Sequence, residues 1–167
     1  MSIVSYNREQ AVAYARTWAF RRNPAYYNFD LLGGDCTNFA SQCLFAGLGI
    51  MNYTPDLGWF YRSLTSRAAA WTGVEYFYQF LIANGKGTGV GNGAGPFAEE
   101  IDISALQIGD FIQLGRGTGD FYHTPVVVGF NGDEPLLAAH TYDALDRPLN
   151  TYRYEKLRCL HVLGGRE

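Results

Sequence analysis

The hydrophobic period of this chain changes once, near residue 100, and that change decides which class of fold is open to it. Upstream, apolar residues recur at helical spacing. Asn7 and Gln10 form a variant capping box ahead of Ala11, Ala15 and Trp18, which predicts a helix over about residues 8 to 22, ended by Asn23-Pro24. Gly33-Gly34 leads to Asp35, a good N-cap for a helix starting at Cys36, whose stripe of Phe39, Ala40, Cys43 and Leu44 closes at Gly47. After a loop holding Trp59 and Trp71, Thr72-Gly73-Val74-Glu75 signals a third helix, carried by Val74, Phe77, Tyr78 and Leu81 to Asn84-Gly85. Downstream, strand-like runs take over: Phe111 to Leu114, Thr124 to Phe130, Leu136 to Tyr142, and Leu157 to Leu163. Asn131-Gly132-Asp133-Glu134 is a hairpin signal, so the strands it joins are antiparallel. Helices followed by such strands make an α+β domain and not an alternating βαβ one.

With 167 residues, 47% hydrophobic and 17% charged, the chain reads as a single domain over residues 1–167 that needs no disulfide or metal staple. Thirteen Lys and Arg against sixteen Asp and Glu give a net charge of -3, and no basic run exceeds Arg21-Arg22, so nucleic acid is not an expected partner. The longest apolar run, Ala11 to Ala15, is far too short for a membrane span. Met1 to Asn7 has neither the basic nor the apolar part of a secretory signal, so the expected compartment is the cytoplasm unless the chain is exported by another route or trimmed. Glycine at every second position from Gly85 to Gly95 fits no phosphate-loop spacing and predicts a mobile surface loop.

Three cysteines, Cys36, Cys43 and Cys159, without a Cys-x-x-Cys pair, indicate neither a disulfide framework nor a zinc ribbon. Cys36, first in its helix, sits where backbone N–H groups and the helix dipole favour a thiolate. The dipole alone moves a thiol by about one pKa unit, so full activation calls for a cation, which His123 could supply as an imidazolium. On composition alone a buried, inert cysteine explains Cys36 equally well. His123 and His140 lie at the ends of the predicted hairpin strands farthest from its turn. An unbulged register places His140 opposite Pro125 and Tyr142 opposite His123, which makes the two histidines diagonal neighbours on one face; a single bulge would separate them.

The stretch from Asn23-Pro24-Ala25-Tyr26-Tyr27 through Gly33-Gly34-Asp35-Cys36-Thr37-Asn38-Phe39-Ala40-Ser41-Gln42-Cys43-Leu44 resembles the nucleophile motif of the bacterial putative amidase-domain family, a papain-like group similar to the NlpC-type and CHAP peptidases. Trp71-Thr72, Ile108-Gly109-Asp110-Phe111-Ile112, His123-Thr124-Pro125-Val126-Val127-Val128 and Ala139-His140-Thr141-Tyr142-Asp143 follow in the family's order. The resemblance implies a papain-like α+β fold, its nucleophile at a helix N-terminus packed on a C-terminal antiparallel sheet. It implies Cys36 as nucleophile, His123 as general base and acid, and His140 as the orienting third group, with Asp143 the rival for that place. Asp35 and Tyr27, or Tyr26, would support the oxyanion pocket.

The expected reaction is therefore cysteine-dependent hydrolysis of a peptide or amide bond through a thioester, with no cofactor. Relatives with such a site direct attention to peptidoglycan peptides as substrate. Three other readings stand beside it: acyl or peptidyl transfer at the same site, a zinc site built from Cys36, His123, His140 and Asp143, and a binding module without turnover.

Overall fold

In the computed structural model, which describes residues 1–167, a short strand β1 (Ile3–Val4) precedes helix α1 (Arg8–Trp18), where Asn7 Oδ1 accepts the Gln10 N–H at 3.0 Å as the capping pattern requires. The helix stops four residues short of the predicted 22, with the Trp18 carbonyl turned to the His140 imidazole at 2.7 Å. Helix α2 (Cys36–Leu48) is the centre of the molecule, buried on nearly every side. Its closing glycine is Gly49, in the left-handed conformation with φ 72°, and not Gly47. Gly47 lies inside the helix because α1 starts against it: a Cβ there would fall 2.4 Å from Tyr6 Cε1 and 2.8 Å from the Asn7 carbonyl. The polar residues that α2 buries are all bonded, Ser41 to the Trp71 carbonyl and the Trp59 indole, Gln42 to the Tyr14 hydroxyl, and Asn38 to the Trp71 indole.

A small hairpin, β2 (Tyr61–Ser63) and β3 (Ser66–Arg67), leads into α3 (Ala69–Thr72) and α4 (Val74–Gly85), so Trp71 belongs to a short helix and not to a loop. Next come β4 (Gly95–Ile101), β5 (Phe111–Gly115), β6 (Phe121–His123), β7 (Val126–Asn131), β8 (Glu134–Ala139), β9 (Ala144–Pro148) and β10 (Lys156–Arg166). The eight-stranded sheet runs β1-β10-β5-β7-β8-β9, with β4 on β10 and β6 on β5, and every pairing is antiparallel. It curls around α1, α2 and α4, which share one core with Phe111, Val126, Ala138 and Leu160. The opposite face carries a second core of Leu106, Ile112, Leu114, Val127, Leu137, Leu149 and Cys159.

The glycine-rich segment is a surface loop, as expected, but one tied to the body of the fold by two asparagines. Asn52 Nδ2 donates to the Val90 and Ala94 carbonyls at 3.0 and 2.9 Å, and Asn84 Nδ2 to those of Ala94 and Pro96 at 2.9 and 3.0 Å. A Cβ at Gly89 would lie 1.6 Å from Asn84 Oδ1, so the glycines admit the two asparagines.

Gly47→Ala is expected to cost about 1–3 kcal/mol by overpacking the α1–α2 contact. Urea melts check it; a loss no larger than a few tenths of a kcal/mol would show that the two helices separate readily.

Candidate functional site

The first turn of α2 offers the Cys36 N–H no helical acceptor, since four amides at a helix start lack partners. Asp35 holds the N-cap position but does not cap. Its carboxylate turns away from the helix, accepting the Phe29 N–H at 2.9 Å, Asn38 Nδ2 at 2.8 Å and His140 Nδ1 at 2.6 Å. The Cys36 thiol is 3.7 Å from Thr37 Oγ1 and 3.9 Å from the Tyr122 carbonyl, and it is also bonded by the Thr124 backbone. It therefore packs against the residues on either side of His123, although no hydrogen bond joins Sγ to the imidazole. Such bonds are often loose before substrate binds.

His123 and His140 do not share a face. Near the turn the hairpin keeps the expected register, with Asn131 opposite Glu134 and Gly129 opposite Leu136, but a bulge at Val128 sets Val127 opposite Leu137. His123 pairs with Leu114 and lies by Tyr152, on the side of the second core. His140 points to the helices, stacked on Phe39 with ring centroids 3.9 Å apart. Its nitrogens are both committed: a backbone carbonyl only accepts, so Nε2 carries a proton to Trp18, and Nδ1 shares one with Asp35. Nothing of His140 remains to orient His123. Asp143 does not replace it, being held by Arg22 through two bonds of 2.9 Å. The four residues of the zinc alternative are thus split between separate environments, and no group of three or more His, Cys, Asp or Glu in the chain could hold a metal.

Tyr27 contributes backbone, its carbonyl accepting from Asn38 and its N–H donating to the Tyr61 hydroxyl oxygen, while its ring is exposed against Phe29. Tyr26 packs on Trp71 and Tyr61.

Burial pushes the Cys36 thiol up, against hydrogen bonds from Thr37 and Thr124. Burial, then the Arg147 charge, pushes His123 down to about 4. At neutral pH the two are a thiol and a neutral imidazole, so the thiolate-imidazolium pair expected from the sequence is not the resting state. Cys43 and Cys159 are buried and likewise pushed up, by burial first.

His123 opens on a cavity of about 500 Å³. Thr141 lies on its wall and also bonds the Asp35 N–H at 2.9 Å, which ties the cavity to the start of α2. Thr141 and Tyr142 both have positive φ, 56° and 59°, a strained turn at the cavity mouth. Arg147, Tyr152 and Arg153 complete the wall and were not singled out in the sequence. The one signal for them was a basic and aromatic cluster late in an acidic chain.

A family model described as "Putative amidase domain" matches residues 5–163. A protein of Bacillus subtilis (strain 168), named "Uncharacterized protein YhbB", is 37% identical over 142 residues, which cover 83% of this chain and 42% of that protein. The chain thus spans less than half of its relative's length. No solved structure matches it.

Two measurements test this geometry. His140→Ala should cost about 3–5 kcal/mol in stability, because it strands a buried carboxylate; a variant as stable as the parent would refute the pairing. For His123, the folded imidazole takes its proton near 4 and the unfolded one near 6.5, so stability is lost as pH falls between these values, by roughly 3 kcal/mol. Denaturant melts of the parent and His123→Gln at pH 7 and pH 4.5 should therefore differ in slope with pH, the variant being flatter; parallel behaviour contradicts the depressed value.

Proposed function

This chain belongs to the putative amidase domain family, and from that premise we propose that it is a cysteine-dependent amide or peptide hydrolase of papain-like arrangement. The observation that carries the reading is the Cys36 thiol at the open amide end of α2, packed against the backbone that presents His123 beside a cavity. A peptide of the bacterial cell wall is the substrate class that the sequence resemblance favours.

The chemistry follows from the neutral pair. His123 accepts the Cys36 S–H proton as sulfur attacks the substrate carbonyl carbon, so charge separates only when the S–C bond forms. The oxygen of the tetrahedral intermediate gains the negative charge, and the Cys36 N–H is placed to donate to it. The imidazolium returns its proton to the leaving nitrogen as the C–N bond breaks, leaving a thioester and an amine. Water then attacks the thioester, gives its proton to His123, and the thiol is restored as the acid departs. His140 and Asp35 act at a distance, by holding the first turn of α2.

Cys36→Ala should abolish hydrolysis of a cell-wall peptide or simple acyl amide, and His123→Ala should lower the rate by ~10² to 10⁴. Rates should hold as pH falls from 7 to 5 and drop through about 4, where His123 protonates and ceases to be a base. Undiminished turnover by Cys36→Ala, followed by mass spectrometry of the products, would end the reading.

A further inference from the structure

The cavity beside His123 holds positive charge that the protein does not neutralise. Arg147 and Arg153 stand on its wall with Tyr122, Tyr142 and Tyr152, and none of the lining residues is acidic. Arg8, Arg16, Arg22, Arg116 and Arg158 are each paired with a carboxylate; Arg147 and Arg153, like Arg21, Arg62, Arg67 and Arg166, are not, and these two alone line this cavity. Arg147 is nonetheless fixed in place. Its Nε and Nη2 donate to Thr151 Oγ1 and the Thr151 carbonyl at 2.9 Å each, and its guanidinium lies 3.7 Å over the Tyr152 ring. That leaves further N–H groups of the fork unclaimed. Tyr152 adds a donor beside Arg147: its buried hydroxyl has no acceptor, and the Arg147 guanidinium bears on it. A buried donor left without an acceptor is costly, and an acceptor entering the cavity would satisfy it.

We propose that this cavity is a carboxylate subsite, so that the substrate is an amide carrying a free carboxylate, held by Arg147 and Arg153 and by the Tyr152 hydroxyl next to His123. The proposal rests on the amide-hydrolase reading for its choice of substrate. A planar guanidinium matches a carboxylate through two parallel N–H···O bonds, and a phenol donates a third without adding charge. The volume exceeds what one carboxylate fills and leaves room for the chain that bears it. His123 lies on the same wall as Arg147 and Arg153, so a carboxylate held there would bring the chain that bears it to the base, which is the use of binding at a distance from the bond that breaks.

The test reads binding without turnover, in the Cys36→Ala protein. N-acetylglycine, an acyl amide with a carboxylate, is titrated by NMR against N-acetylglycinamide, its neutral analogue of nearly the same shape, with inorganic phosphate as a third ligand. N-acetylglycine should saturate shifts of the His123 ring and the Arg147 Nε–H, at least tenfold more tightly than the amide and than phosphate. Tyr152→Phe and Arg153→Gln, which spare the bonds that hold Arg147, should each weaken it severalfold. Equal binding of the acid and amide, phosphate binding as tight as the acid, or a preference untouched by both substitutions overturns the subsite. If N-acetylglycine binds as expected but no amide is ever cleaved, the hydrolase reading fails and the subsite stands. If amides are cleaved with no carboxylate preference, the subsite alone fails.

Discussion

The Asp35 carboxylate is the point at which the parts of this molecule meet. It is wholly buried, and an ionised carboxylate in such a place costs several kcal/mol unless every lone pair finds a donor. The donors come from three separate segments, Phe29 in the approach loop, Asn38 in the first turn of α2 and His140 after β8, and the Arg22 guanidinium adds an ion pair at 3.5 Å. His140 extends the chain of bonds to the end of α1 through Trp18. The loop, two helices and the end of an inner strand therefore have to arrive together. Cys36, one residue further on, is placed by that assembly and contributes nothing to it.

A second set of polar bonds places His123. Thr37 Oγ1 lies 3.2 Å from Thr124 Oγ1, which also receives Gln113 Nε2 at 3.2 Å; the same nitrogen donates to the Val74 carbonyl at the start of α4. Thr37 follows Cys36 and Thr124 follows His123, so one buried threonine pair sets the spacing of both candidate catalytic residues. The network uses neutral groups throughout, and the charged one stops at Asp35. Burial is the main reason that the thiol and imidazole stay uncharged; the Asp35 charge adds to it at the thiol, and Arg147 opposes protonation of His123.

What could be read from the sequence was whatever depends on neighbours a few residues apart. The Asn7 cap, the stripe of α2 and the 131–134 turn are local, and the helices-then-sheet order follows from the change of period. Proximity of Cys36 to the His123 segment came from the motif order and not from spacing. The missed elements are those decided by packing. β4 begins in Gly95-Pro96, a poor strand sequence, and exists because β10 offers an edge along its whole second half. Gly47 and Gly49 each had the composition of a helix end, and only the approach of Tyr6 shows which one is a contact and which a cap.

The bulge at Val128 shows most clearly where local reasoning stops. One extra residue reverses the alternation, so two histidines that an ideal hairpin would place together face opposite sides of the sheet. On the helix side an imidazole must satisfy a buried carboxylate and a carbonyl, and it becomes a structural strut. On the other side an imidazole meets a half-buried aromatic ring, a cation and an open cavity, and its nitrogens remain free. A group that transfers protons needs that freedom, and one that holds a helix end must surrender it. Had both been on one face, His140 would have had to leave either Asp35 or His123 unpartnered, and the first choice would have opened the junction on which the position of Cys36 depends.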